Sequence, residues 1–238
     1  MKKINSLLIV LLFGYNLSAQ NTSAFDTDLL LGKITLFPSA EGFSLLPKAA
    51  IAFKKMQTAA KRDSIDLKIV SSFRSYETQK RIWNRKYQRF TEEGLTGPEA
   101  IAKIIEYSTL PGTSRHHWGT DIDLIDGSKE VAGDVLLEEH FHHGAYQKLR
   151  LWLQKNAVHY GFGIVYTKDS LRKGFLYEPW HYSYMPLAKQ FLNTYQAEEL
   201  IFTIAQDSTL LGKEFITSEF MQTYYRENVL GINPELKQ

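Results

Sequence analysis

The order of secondary-structure signals in this sequence predicts an α+β fold, and three observations predict it. Helical patterns come first; short strand-like stretches then follow, mixed with one long helix; and no regular strand–helix–strand alternation of a parallel sheet develops along the chain. "LPKAAIAFKKMQTAAKRDS" (46–64) places apolar residues at Ile51, Phe53, Met56 and Ala59 between lysines, a helical spacing. "DLKIVSSFRS" (66–75) alternates around Leu67, Ile69 and Phe73 and reads as a strand. Ser75 then stands as the N-cap of a helix through "YETQKRIWNRKYQRF" (76–90). "TGPEAIAKIIEY" (96–107) carries Pro98 in its first turn, followed by Glu99, and reads as a further helix.

"STLPGTSR" (108–115) is a loop by its Pro-Gly step, and "TDIDLID" (120–126) alternates acid with apolar residues as a strand with one polar face. "GAYQKLRLWLQKNAVHYG" (144–161) spaces Tyr146, Leu149, Trp152 and Leu153 helically and stops at Gly161. "FGIVY" (162–166) and "WHYSY" (180–184) read as strands, and a helix runs from Pro186 to about Asn193. The tail from 196 to 238 has a helical patch at 218–228 and carries no motif.

Composition narrows the function classes. The chain has 238 residues, 44% hydrophobic and 23% charged, which is ordinary for a folded domain and excludes disorder as the default. It has no cysteine. That excludes a disulfide scaffold, a thiolate zinc site, a cysteine nucleophile and a lipidated cysteine, so any metal must be held by His, Asp and Glu.

Residues 1–19 read as a signal peptide. Lys2 and Lys3 precede the apolar run "LLIVLLF" (7–13), and Ala19 offers a cleavage point. The run is far shorter than the roughly twenty residues a bilayer-spanning helix needs, so no membrane span is expected in the mature chain. Removing residues 1–19 takes two lysines and no acid, leaving 26 basic residues facing 26 acidic ones. That balance gives no electrostatic support to a nucleic-acid partner. The expected organisation is a leader at 1–19, a lead-in at 20–44, a main domain at 45–195 and a helical extension of unassigned role at 196–238. The expected location is outside the cytoplasm, periplasmic or extracellular.

The chemistry concentrates in "TSRHHWGTDIDL" (113–124) and "YEPWHYSY" (177–184). Residues two apart on a strand share a face, so Asp121 and Asp123 point the same way while Ile122 points into the core. The preceding loop can fold His116 back over that face, and only one of the adjacent His116 and His117 can aim at its centre. Pro179 disfavours helical geometry at Glu178, so Glu178 and His181 reach one site only if the chain bends at Pro179-Trp180. His116, Asp123 and His181 then make a three-ligand zinc site that leaves a position for water. Zinc lowers the pKa of such a water to about 7, and Glu178, not a ligand, would act as general base. The ordinary alternative for each residue taken singly is a surface or satisfied core side chain.

"SRHHWGTDID" (114–123) resembles the Ser-x-His-x-x-Gly-x-x-x-Asp motif of the VanY-type D-alanyl-D-alanine carboxypeptidases, and "EPWH" (178–181) resembles their Glu-x-Trp-His motif. "SSFRSYETQ" (71–79) is similar to a third signature, with Arg and Gln five apart on a strand-to-helix turn. The resemblance spans roughly residues 45 to 195. It implies an antiparallel sheet carrying a zinc site and covered by helices, as in the D-Ala-D-Ala peptidase and hedgehog group. It implies zinc on His116, Asp123 and His181, Glu178 as general base and acid, and Arg74 against the scissile carbonyl. It further implies that Gln79 and Ser114 contact the terminal residue of the substrate and its carboxylate.

One departure stands out: Asp121 occupies a position where the family has a small or apolar residue. Asp121 either hydrogen-bonds a ligand imidazole or competes with Asp123 for the metal, and Asp123 is the favoured ligand. "EEHFHH" (138–143) holds three more histidines, for which a solvated loop or cap outweighs a second metal site. Trp118 and Trp180 are expected as pocket wall and packing.

The implied activity is zinc-dependent removal of the C-terminal D-Ala from a peptidoglycan stem peptide. The alternatives on the same site are an L,D-carboxypeptidase or a peptidoglycan endopeptidase. The alternative from another class is a non-catalytic, zinc-containing wall-binding module, against which Glu178 argues, because a structural zinc site needs no free carboxylate.

Overall fold

The computed structural model describes residues 27–195 and 197–237; the expected leader and cleavage point at Ala19 lie outside them. A short helix α1 (Thr27–Leu30) leads into α2 (Pro47–Arg62), strand β1 (Leu67–Ser71), α3 (Tyr76–Glu92) and α4 (Gly97–Ile104). A single 3-10 turn (Arg115–Trp118) opens onto β2 (Asp121–Asp126). After it come α5 (Glu138–His142), α6 (Gln147–Asn156), β3 (Phe162–Ile164) and β4 (His181–Tyr184). Helices α7 (Met185–Thr194), α8 (Ala197–Gln206) and α9 (Ser218–Tyr224) follow, and α9 runs on into a wider helical turn (Tyr225–Val229).

The local signals explain most of these boundaries. Ser75 Oγ accepts from Thr78 N–H at 3.2 Å and starts α3, while the Glu99 carboxylate accepts from Thr96 N–H at 2.8 Å to start α4. Helix α6 tightens into a 3-10 turn (Ala157–Tyr160) and ends at Gly161, whose φ of +80° suits glycine. The expected strand at 66–75 is shorter, because the chain leaves the sheet after Ser71 to reach the α3 cap.

The strands pair antiparallel in the order β1-β2-β4-β3. The register places Asp123 across from His181 and Asp121 across from Ser183. Between Ile69 and Ser71 the β1–β2 register shifts, bringing Ser71 opposite Asp123. That irregularity redirects the residues that follow toward the polar face of β2.

Two apolar clusters enclose this sheet. One joins Phe53 and Met56 of α2 and Leu149 and Leu153 of α6 to Ile122 and Leu124, the inward residues of β2. The other joins Trp83, Ile101 and Trp118 to Phe191 of α7 and to Leu200, Ile204, Met221 and Tyr224 of the tail. The tail therefore shares a core with α3 and α4. Trp83 Nε1 donates to the Leu211 carbonyl at 3.0 Å, and Tyr224 Oη accepts from Leu110 N–H at 3.1 Å. These contacts pin the 108–114 loop, which carries the first half of the site.

Candidate metal centre and catalytic cavity

β2 is buried along its whole length, although its polar face carries Asp121 and Asp123. Burying two carboxylates is costly unless each is compensated, so their partners define what this face is for. His116 arrives from the 3-10 turn, which closes at Gly119 with φ +63°. A Cβ at Gly119 would lie 2.6 Å from Leu36 Cδ1, so glycine is required both for the conformation and for the close approach of residues 36 and 46. His181 arrives from β4 after a tight turn in which its N–H donates to the Glu178 carbonyl at 3.2 Å. The chain bends at Pro179-Trp180, and that bend brings Glu178 and His181 to one side.

His116, Asp123 and His181, all buried, converge with one candidate ligand atom from each lying within 4.8 Å of the others. Each imidazole is fixed from behind. His116 Nδ1 lies 2.8 Å from the Ser72 carbonyl, which can only accept, so Nδ1 carries the proton and Nε2 faces Asp123 at 3.4 Å. His181 Nε2 lies 3.0 Å from Asp121 Oδ2, so its proton sits there and Nδ1 faces the cluster. Asp121 thus backs a ligand imidazole, while Asp123 Oδ1 is buried without a hydrogen-bond partner. A buried carboxylate oxygen with no partner, beside two oriented imidazole nitrogens, suits a divalent cation, and the donor set suits zinc.

Asp121 is completely buried and fully engaged. Arg115 Nε donates to its Oδ2 at 2.9 Å, and Ser183 and Thr120 hydroxyls donate to Oδ1 at 2.6 and 2.8 Å. Burial pushes its carboxyl upward, but Arg115 and His181 overcome that and hold it well below the ordinary range. Asp123 behaves alike: burial opposes ionisation, but His116, His181 and Arg74 lower it to about 2. Burial depresses His181, yet its bonds to Asp121 and Glu178 reverse the sign and raise it to about 10. The carboxylates around His181 thus demand positive charge, which a divalent cation facing Nδ1 would also provide.

His117 takes no part in the cluster. Its Nδ1 donates to the Arg74 carbonyl at 2.5 Å, its Nε2 accepts from Gly112 N–H at 3.0 Å, and burial drops its pKa to about 3. It is a neutral brace for the backbone of Arg74.

Glu178 Oε2 lies 2.9 Å from His181 Nδ1. Glu178, Arg74 and Ser114 line a cavity of about 620 Å³ together with the three candidate ligands. Arg74 donates to Gln79 Oε1 at 2.8 Å and Ser71 Oγ at 3.0 Å. Gln79, expected to contact the substrate, is placed behind Arg74. Its side chain is fully buried, Oε1 accepts from Arg74 and Nε2 donates to the Thr109 carbonyl at 2.8 Å, so it holds Arg74 from behind. Trp180 is on the cavity wall, while Trp118 packs in the core against Phe191 and donates to the Leu30 carbonyl at 3.2 Å.

Sequence reasoning passed over Arg115, Ser183 and Ser72. Ser183 had a signal, since it stands two residues after His181 on one strand face. Arg115 and the Ser72 carbonyl had none. Among the described residues no second metal-type cluster forms at 138–143: His142 pairs with Glu138 at 3.0 Å on α5, and His143 is exposed.

Residues 42–187 match the family described as VanY, D-alanyl-D-alanine carboxypeptidase. This chain belongs to that family. Among curated proteins, it is 36% identical over 140 residues to YodJ of Bacillus subtilis, covering 58% of this chain and 45% of YodJ. It is 29% identical over 129 residues to a D-alanyl-D-alanine carboxypeptidase of Enterococcus faecalis, covering 53% of this chain and 43% of that protein. The chain thus spans less than half the length of these two relatives. Among solved structures, a VanY D,D-pentapeptidase variant in complex with Zn(II) aligns with a TM-score of 0.52 at 21% identity, covering 77% of this chain and 90% of that one. The VanY-type fold is therefore shared, an α+β architecture built on an antiparallel sheet.

Proposed function

We propose that this VanY-family chain is a zinc-dependent D,D-carboxypeptidase that removes the C-terminal D-alanine from peptidoglycan stem peptides outside the cytoplasm. The observation that carries this reading is Glu178. A carboxylate that is not among the three candidate ligands stands 2.9 Å from the cluster-facing nitrogen of His181, inside the same cavity as Arg74. His116 Nε2, Asp123 and His181 Nδ1 would hold the zinc. Bound there, zinc would supply Lewis acidity, lowering the pKa of water and polarising a carbonyl.

The chain's own residues do the rest. Glu178 takes a proton from the attacking water and delivers it to the departing D-alanine nitrogen. Arg74 presents its guanidinium to the oxyanion that develops on the scissile carbonyl. It is held for this at two nitrogens by Gln79 and Ser71 and at its backbone by His117. Ser114 stands on the cavity wall beside His116, where it can meet the terminal residue. Support for action on the wall comes from family membership and from the leader-like residues 1–19. No helix of the described residues is long and apolar enough to cross a membrane.

The test is a mass-spectrometric digest of purified muropeptides by the zinc-loaded protein beside its Glu178→Ala variant. Pentapeptide stems shortened by one alanine, with the variant inert, are the expected result. Shortened tetrapeptides would move the activity to an L,D-carboxypeptidase, and cleaved cross-links to an endopeptidase. Unchanged stems with zinc bound would leave a wall-binding module.

A further inference from the structure

A carboxypeptidase has to recognise the free carboxylate at the end of its substrate, and the structure leaves that task to a residue outside the family motifs. Gln79 is enclosed with both ends of its amide engaged. Arg115 lines the cavity, and its Nη1 is buried without a hydrogen-bond partner, but its charge is already neutralised by Asp121 at 2.9 Å. Arg74 belongs to the scissile carbonyl in the mechanism above. Ser114 can donate a hydrogen bond but brings no charge.

Lys86 does bring one. It stands seven residues after Gln79 on α3, on the face that also presents Ile82 to the cavity, and it lines that cavity itself. Its side chain is half-buried, and its Nζ donates to Ser108 Oγ at 2.6 Å. An ammonium has three donors, and Ser108 satisfies one without neutralising the charge. Among the described residues no carboxylate pairs with Lys86 or with Arg85, the other cation that α3 contributes to the wall. Burial lowers the Lys86 pKa, as do Arg89, Arg74 and Arg85, whereas Glu178 raises it. Lys86 shares the cavity wall with Arg74 and Glu178. Partial burial of a cation among other cations is unfavourable without an anion to balance it.

We propose that Lys86, aimed by Ser108, binds the terminal carboxylate of the substrate and so makes this cavity a carboxypeptidase site rather than an endopeptidase site. The contact is one charge-assisted hydrogen bond from a point charge, with Ser114 able to supply a second, neutral donor. Two bonds, Gln79 to the Thr109 carbonyl and Lys86 to Ser108, tie α3 to the 108–114 loop, so the anchor and the Arg74 support are built on the same wall.

The inference rests on reading the cavity as a peptidase site, and its test separates the two. Binding of a short peptide ending in D-Ala-D-Ala, as the free acid and as the C-terminal amide, is measured by calorimetry on the zinc-loaded Glu178→Gln protein, which keeps the peptide intact. The acid should bind more tightly than the amide by roughly tenfold to a hundredfold. Adding Lys86→Met should erase that preference, Lys86→Arg should keep most of it, and both should leave the zinc content and melting temperature of the parent. An acid-over-amide preference that survives in Lys86→Met overturns the proposal, as does equal or absent binding of acid and amide by the parent. Stem cleavage by the wild-type protein is scored separately, so an inert wild type that still prefers the acid refutes the peptidase reading while supporting the anchor.

Discussion

Two regions of this molecule are rich in histidine and carboxylate, and among the described residues only one brings three candidate metal ligands together. At 116–123 and 178–181, each candidate ligand imidazole has its rear nitrogen tied to an acceptor, the Ser72 carbonyl for His116 and Asp121 for His181. At 138–143 the histidines and carboxylates are half-buried or exposed, and Glu138 is shared between His142 at 3.0 Å and Lys168 at 2.6 Å. The residue types are the same. What differs is the support behind them, which fixes the tautomer and direction of buried imidazoles in one place and is half-exposed in the other.

The largest effect should come from removing a ligand. His181→Ala or Asp123→Asn should abolish zinc binding at micromolar metal and with it all turnover, read by metal analysis after gel filtration. Adding a chelator should lower the melting temperature of the wild-type protein and leave these variants unmoved. A variant that keeps one equivalent of zinc would mean that the metal sits elsewhere, and the contrast between the two regions would fall.

Next in size is Glu178→Gln, which keeps the shape of the side chain and removes its proton chemistry. Turnover should fall by roughly a hundredfold to ten-thousandfold with zinc content unchanged. A parallel loss of zinc would instead place Glu178 among the ligands.

Asp121→Asn sharpens the comparison, because it changes support alone. The amide can still approach His181 Nε2, but it no longer compensates Arg115, whose Nε and Nη2 bind Asp121 and Ser183. Zinc affinity should drop about 10- to 100-fold. Leaving a buried guanidinium unpaired should also cost about 3–5 kcal/mol of stability by chemical denaturation. Ser183→Ala removes one hydroxyl and leaves the ion pair, so it should cost about 1 kcal/mol with zinc affinity nearly intact.

The convergence of the candidate ligands was legible in the sequence and their supports were not, for a physical reason. His116, Asp123, Glu178 and His181 fall within two short windows, where strand alternation and a proline fix relative direction over a few residues. Ser72 reaches His116 across 44 positions through a register shift that no local pattern announces. Gln79 shows the same limit. Its place on α3 was readable from the Ser75 cap, but whether it faces the cavity or Arg74 depends on burial, a property of the assembled fold. Helices with their own caps, α3 and α4, came out at their observed starts. In the tail the helix starting at Ser218 was readable as well, whereas α8 and the packing of Leu211 and Tyr224 were not, because Leu211 and Tyr224 meet Trp83 and Leu110, more than a hundred residues away in sequence.

The smallest expected effect is the most direct check on what support contributes. The double variant His140→Ala/His142→Ala removes as many imidazoles as the metal centre holds. His140 Nε2 lies 3.2 Å from the Asp134 carbonyl with its ring edge-on to Tyr146, and His142 pairs with Glu138, which keeps Lys168 at 2.6 Å, beside the Tyr177 ring. Zinc stoichiometry should stay the same, and stability should move by no more than about 0.5 kcal/mol, as for surface substitutions in general. Because Glu138 lines the cavity rim, a modest change in substrate KM is compatible with this picture, whereas a loss of bound zinc is not. Such a loss would show that metal affinity follows the number of imidazoles present rather than how each is held from behind.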